Sequence, residues 1–230
     1  MQKILSREKT ARYMPTLLEL FSGTGSVGRA FRDKGWDVIS VDIKRSFRPT
    51  LHMDVSEFDV ERDLAGRKID AIWASPPCTF YSKARTSCVT TPEELEASDA
   101  LVRKVLAVGE ALGGNLPMFI ENPHSGKLKS RGILDHLSMR VVDYCKYGKP
   151  FRKRTSIWTT NTDWTPSRPL CRYDCAATTA DGKRHAQYAQ RGPHRDGQQR
   201  FTLQQLYSIP SELCDEIAEF MTSANEVATT

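Results

Sequence analysis

The sequence predicts an α/β protein: a doubly wound, mostly parallel sheet with a small loop-rich insert late in the chain. Three observations predict it. Strand-like apolar runs alternate with helix-like runs over the first two-thirds, the order expected of βαβ units. The first of these runs breaks into a glycine-rich turn and then a helix, as in domains that hold a ligand at the carboxyl edge of a parallel sheet. Two late strand-like runs follow one another with no long helix between them, which predicts an antiparallel pair.

Taken in order, "TLLELF" (16–21) reads as a buried-type strand, "SGTGS" as its turn and "VGRAFRDKG" as the helix that follows. "WDVISVDI" (36–43), "TLHMDV" (50–55) and "IDAIWA" (69–74) supply the second, third and fourth strands. From Pro92 to about Leu112 the periodicity is helical. The start of that helix carries a capping box, with Thr91 as N-cap, Pro92 in the first turn and Glu94 three residues after the cap. "PMFIEN" (117–122) is a fifth strand, "SGKLKSRGILDHL" (125–137) a short helix, and "MRVVDYC" (139–145) and "TSIWTT" (155–160) the late pair. From 161 to about 200 the pattern dissolves into Pro, Gly, Arg, Cys and His. One or two helices around Pro210 close the chain. The expected organisation is a core over 1–160, a basic insert over 161–200, and helices over 201–230 that complete the core.

Composition narrows the function classes. Of 230 residues 39% are hydrophobic and 27% charged, values of a globular protein rather than a disordered one. No apolar run approaches the roughly 18 to 20 residues of a membrane span, and the opening "MQKILSREKTARYMP" has no hydrophobic centre, so we expect no membrane association and an intracellular location, cytoplasmic or nuclear. Six cysteines in such a chain point to reduced, metal-bound or catalytic thiols rather than a disulfide framework. The net charge of +5 is unevenly spread: residues 127–200 hold 16 Lys and Arg against 6 Asp and Glu, and the remainder 17 against 22. A basic segment beside an acidic one points to a polyanionic partner, nucleic acid first.

The strand ends carry the chemistry. Gly23 and Gly25 allow positive φ in the first turn and leave room for a ligand. Asp42, at the end of the second strand, is placed to accept hydrogen bonds from ribose hydroxyls, and Asp54, at the end of the third, to meet an adenine amino group. The loop lacks the lysine and hydroxyl of a triphosphate-binding turn, so an adenosine cofactor is expected instead. Cys78 follows the fourth strand in "SPPCTFYS", and Glu121 ends the fifth in "FIENP". Carbon 5 of a pyrimidine is a poor nucleophile until a thiolate adds to carbon 6 and an acid holds ring nitrogen 3; Cys78 and Glu121 suit those two tasks. Taken alone, Cys78 reads as a small buried apolar residue, as most cysteines are.

With these motifs together, the sequence resembles the cytosine carbon-5 methyltransferases that use S-adenosylmethionine. "LFSGTGS" resembles their cofactor loop, "SPPCTFYS" their nucleophile loop, "ENP" their glutamate motif and "RKR" (152–154) their paired-arginine motif, in the family's order over roughly residues 16 to 160. The resemblance implies a Rossmann-like fold and a transferase that methylates cytosine in DNA. It implies Phe21 against the adenine, Pro77 lining the cofactor site, Arg154 on the cytosine carbonyl, and Arg152 orienting the site or meeting phosphate. Thr24 and Ser26 in the loop, and Ile43 and Val55 beside the two aspartates, complete the candidate cofactor set. Since Cys78 cannot reach carbon 6 of a stacked base, the partner expected is DNA with a flipped-out or single-stranded cytosine. Two departures from the family stand out. About 40 residues occupy the place of a large target-recognition domain, and the Gly-Asn motif usual near the C-terminus is not evident. An amino-group, RNA or free-nucleotide methyltransferase, or a binding module without turnover, therefore remains open.

The insert also holds Cys171, Cys175, His185 and His194, with Cys145 upstream. A loop so poor in apolar residues cannot hold its shape by burial, and a structural zinc ion on Cys145, Cys171, Cys175 and His185 would supply the missing stability. The alternative is unrelated loop polar groups plus a strand cysteine. Cys88 and Cys214 carry no expected role.

Overall fold

The computed structural model describes residues 13–82, 89–189 and 201–229; Cys88 and His194 lie outside the described residues. Nine strands and five α-helices are present among them: β1 (Thr16–Leu20), α1 (Ser26–Asp33), β2 (Asp37–Asp42), β3 (Leu51–His52), α2 (Val60–Leu64), β4 (Ala71–Ala74), α3 (Pro92–Ala111), β5 (Met118–Pro123), β6 (Ser138–Asp143), β7 (Phe151–Arg152), β8 (Arg154–Thr159), β9 (Gln187–Tyr188), α4 (Leu203–Tyr207) and α5 (Ser211–Thr229).

Seven strands form one sheet in the order β3-β2-β1-β4-β5-β8-β6. The first five are parallel to their neighbours, while β8 runs antiparallel to both β5 and β6. This is the mostly parallel, Rossmann-like sheet with a late antiparallel element expected from the sequence. Because side chains alternate along a strand, each central strand buries one set of residues on each face. Leu17, Trp73 and Phe119 face α1 and α5, with Phe31, Trp36, Leu213 and Ile217. Leu18, Ile72 and Ile120 face α3, with Val102, Val105 and Val108. Two apolar layers thus clamp the sheet.

The capping box forms as read: Glu94 N–H donates to Thr91 Oγ1 at 3.2 Å and Thr91 N–H to Glu94 Oε2 at 3.0 Å. α5 lies on α1, where Trp36 Nε1 donates to Thr222 Oγ1 at 2.9 Å. Pro210 separates α4 from α5, as expected.

Two elements differ from the expectation. The 125–137 helix reduces to a single 3-10 turn over Leu128–Ser130. Gly126 and Gly132 explain this: a β-carbon on Gly126 would stand 3.0 Å from the Pro123 carbonyl, and Gly132 sits at φ +75°. Lys127 N–H is instead drawn to the Tyr81 carbonyl at 2.9 Å, away from any helical ladder. The third strand keeps only two paired residues, because Asp54 turns to cap a 3-10 turn by accepting from Ser56 N–H at 2.8 Å. Among the described residues no helix is long and apolar enough to cross a membrane.

Candidate active site

The turn after β1 is built from left-handed backbone. Phe21, Gly23 and Gly25 have φ of 56°, 49° and 65°. A β-carbon on Gly23 would meet nothing closer than 3.9 Å, so that glycine is required by its dihedral angle and not by crowding. The turn is held from β2: Asp42 Oδ2 accepts from Gly23 N–H at 2.8 Å and its Oδ1 from Lys44 N–H at 2.7 Å. A carboxylate oxygen has more than one lone pair, so Asp42 can brace the turn and still meet a ligand hydroxyl.

This turn opens onto a cavity of about 420 Å³ that runs across the carboxyl ends of β1, β2, β4 and β5. Phe21, Gly23, Thr24, Ser26, Asp42, Ile43, Asp54, Val55 and Pro77 line it, all of the expected cofactor set except Gly25. Cys78, Glu121 and Lys153 line it as well. Adjacent strands bring these together: β4 pairs with β5, so the loop after Ala74 and the end of β5 share one rim.

The loop that carries Cys78 is tied down on three sides. Asn122 Nδ2 donates to the Pro76 carbonyl at 2.9 Å, Tyr81 N–H to the Cys78 carbonyl at 3.1 Å, and Tyr81 O–H to buried Asp99 at 2.7 Å. Arg131 completes the last contact with Nη2 at 2.6 Å from Asp99. Tyr81 is therefore both core residue and anchor. Burial pushes the Cys78 thiol above its ordinary value; the Lys153 ammonium pulls it down and the Glu121 carboxyl pushes it up. Glu121 Oε1 accepts from buried Tyr144 O–H at 2.9 Å.

Both arginines turn to Asp143. Arg154 grips Asp143 with Nε at 2.9 Å and Nη2 at 2.7 Å, and Arg152 Nε reaches the same carboxylate at 3.3 Å. Neither guanidinium lines the cavity. Residues 152 and 154 share one direction and residue 153 takes the other, the ordinary alternation of extended chain. Lys153 Nζ accordingly stands 3.9 Å from Glu121 Oε1 and 5.0 Å from the Tyr144 ring centre, and also 3.4 Å from the Leu206 carbonyl. Burial pushes Asp143 up, yet Arg154, the Cys171 N–H and Arg152 hold its carboxyl below the usual value.

Away from the cavity, Cys145, Cys171, Cys175 and His185 bring one donor atom each to within 4.8 Å of one another. His185 Nε2 lies 3.5 Å from Cys171 Sγ and 3.3 Å from Cys175 Sγ.

No protein-family model matches the chain. Over 170 residues it is 34% identical to a probable DNA (cytosine-5)-methyltransferase of frog virus 3 (isolate Goorha), across 69% of this chain and 77% of that one. The chain belongs to the cytosine carbon-5 methyltransferase family. Solved structures similar to this methyltransferase include the Entamoeba histolytica methyltransferase EhMeth, with a TM-score of 0.47 and 14% identity over 70% of this chain and 59% of that one. Dnmt2 of Spodoptera frugiperda, solved as a variant, follows with 0.44 and 16% over 67% and 53%. The chain thus spans little more than half the length of these two solved proteins.

Membership in the family implies S-adenosylmethionine as the methyl donor, and the cavity fits it. Its volume lies within the range of small-molecule sites. Three acidic side chains line it, Asp42, Asp54 and Glu19, the kind of acceptor that ribose hydroxyls and an ammonium need. Glu19 Oε2 is buried without a hydrogen-bond partner, while Oε1 accepts from Gly28 N–H at 3.2 Å. Burial raises the Glu19 carboxyl to about 7, against the pull of the Gly28 N–H and Arg32. Sequence reasoning missed Glu19, although a lone carboxylate inside the apolar run "TLLELF" was a signal. It also missed Lys153, Tyr144 and Asn122, whose roles depend on which way each side chain turns.

Proposed function

We propose that this protein transfers a methyl group from S-adenosylmethionine to carbon 5 of cytosine in DNA, through a covalent adduct with Cys78. The observation that carries the reading is that Cys78, Glu121 and Lys153 line the same cavity as the glycine turn, with Lys153 3.9 Å from Glu121 and acting on the Cys78 thiol. DNA is favoured as the polymer by the likeness to the frog virus 3 protein. In this reading the enzyme acts inside the cell, where its substrate is.

When bound, S-adenosylmethionine supplies an electrophilic methyl group. The chain prepares the other partner. Cys78 sulfur bonds to carbon 6 of the base, and the carbon 5–carbon 6 double bond gives its electron pair toward ring nitrogen 3, where Glu121 delivers a proton. Tyr144 holds Glu121 Oε1, which leaves Oε2 for the base. Carbon 5, now enamine-like, takes the methyl while the donor's sulfur keeps the pair of the broken carbon–sulfur bond; the carbon-5 proton then passes to water, Cys78 leaves as the thiolate, and ring nitrogen 3 returns its proton to Glu121. Lys153 takes the place expected for Arg154: its ammonium faces both groups, favours the thiolate and can hold the base carbonyl. Arg152 and Arg154 are left to brace Asp143 and to meet phosphate with their partly exposed heads. A cytosine must leave the stack to enter such a cavity. The core over 1–160 and 201–230 then carries the chemistry, and the basic segment 161–200 serves as a reduced recognition element. The zinc ion expected on Cys145, Cys171, Cys175 and His185 would hold that segment without touching substrate.

The test is transfer of labelled methyl to unmodified mixed-sequence DNA, with RNA and free deoxycytidine monophosphate as parallel substrates, followed by digestion to nucleosides and identification by mass. Carbon-5 methylcytosine made from DNA by the wild type and not by Cys78→Ser is the expected result. Methyl on an exocyclic nitrogen, or activity that survives Cys78→Ser, would overturn the mechanism. Transfer only to RNA or to the free nucleotide would overturn the substrate.

A further inference from the structure

We propose that Cys145, Cys171, Cys175 and His185 bind one zinc ion, and that the ion, through the run Asp143-Tyr144-Cys145, fixes the positions of Glu121 and Lys153. The second half rests on the catalytic reading above and deepens it: the metal becomes a positioning element of a reaction it never touches.

The geometry suits zinc before any ion is added. Tetrahedral zinc with bonds of about 2.3 Å to sulfur and about 2.1 Å to nitrogen sets sulfur and nitrogen ligands about 3.6 Å apart. His185 Nε2 already lies 3.5 Å from Cys171 Sγ and 3.3 Å from Cys175 Sγ, close to that. Three soft thiolates and one imidazole make a closed four-ligand set with no open position for water, the signature of a structural site. Cys145, Cys171 and His185 are buried, so the cluster is built into the protein and is not a surface coincidence.

The surrounding charge also favours a loaded site. Zinc with three thiolates and a neutral imidazole carries one negative charge. The Asp143 carboxylate adds another, and the Arg152 and Arg154 guanidinium groups, both on Asp143, balance the pair. A buried carboxylate and metal centre balanced by two partly exposed guanidinium groups avoid the desolvation cost of an uncompensated ion. Loading releases the thiol protons, so no oxidant or other co-reactant is needed.

The link to the active site is short. Cys171 N–H donates to Asp143 Oδ2 at 2.9 Å, so the metal loop and the arginine pair share one carboxylate. The next residue, Tyr144, donates through its hydroxyl to Glu121 at 2.9 Å and through its N–H to the Lys153 carbonyl at 3.1 Å. The residue after that is Cys145, a ligand. Beyond His185, the chain returns as β9 and pairs with β7, the strand immediately before Lys153. Three consecutive residues thus join the arginine brace, the acid and the metal.

The experiment uses the full chain purified without chelator. Elemental analysis and native mass spectrometry should find one zinc per chain, lost in His185→Ala and in Cys175→Ser. Protein without stoichiometric metal that also fails to take up zinc or cobalt(II) alone, after reduction, would overturn the site, whatever its activity. For the coupling, zinc is withdrawn by chelation and the alkylation rate of Cys78 is followed by peptide mass, a readout independent of turnover. It should slow several-fold on zinc loss, as the ammonium of Lys153 moves off the thiol, and recover on zinc return. Asp143→Asn, which keeps all four ligands, should retain zinc and cofactor affinity but lower kcat. Unchanged Cys78 alkylation on zinc loss, or full methyl transfer from folded zinc-free protein, would overturn the coupling. A zinc-dependent alkylation rate without methyl transfer to any substrate would uphold this inference and remove the catalytic reading instead.

Discussion

Three side chains decide how the site behaves with pH. Burial lifts the Cys78 thiol, and the Lys153 ammonium brings it down. Replacing Lys153 with Met should therefore move the alkaline rise of methyl transfer to higher pH and lower the rate near neutrality by roughly 100-fold, the scale of losing one preorganised charge; pH-rate profiles of the two proteins check this. Glu19 acts on stability. Its folded-state value of about 7 lies above the model-peptide value of 4.5, so its contribution is full below about 4.5 and is lost as pH rises through about 7. The loss amounts to roughly 3 kcal/mol for the cofactor-free protein. Glu19→Gln should flatten that dependence, read as a smaller fall in urea midpoint between about pH 5 and about pH 8 than the wild type shows.

At the scale of elements, the strands were legible because each is an apolar run closed by turn chemistry, and the candidate site was legible because its residues stand at strand ends. Thr16–Leu20, Asp37–Asp42 and Met118–Pro123 all lie within a residue of the runs read from sequence. What sequence could not give was direction. "RKR" names three cations, but which of them faces the cavity depends on how β8 registers on β6, where Arg154 pairs with Asp143. The 125–137 run has helical composition, yet its glycines and the pull of the Tyr81 carbonyl on Lys127 defeat it. The nucleophile loop supplies a test at this scale. Asn122→Ala removes its tie to Pro76, and should cost about 1–3 kcal/mol of stability and lower kcat more than cofactor affinity, measured by denaturation and by calorimetry with S-adenosylhomocysteine.

Over the whole molecule, charge and chain order matter most. Lys183 and Arg184 are exposed on the basic segment. If that segment tracks phosphate, replacing both with Ala should reduce the slope of log affinity for DNA against log salt by about 2 and leave cofactor binding unchanged. The packing of α5 on α1 has a consequence in time. The turn that starts near residue 21 lies under Tyr207 and Ile209, and the apolar face of α1 is covered by residues near the other end of the chain. At about 5–20 residues per second of synthesis, α1 waits roughly 10 to 40 s on the ribosome before its cover emerges. Over that interval the nascent chain carries Val27, Ala30 and Phe31 uncovered, exposed apolar surface of the kind a holding chaperone binds, and the cavity beside Ile209 is completed only after α5 leaves the exit tunnel.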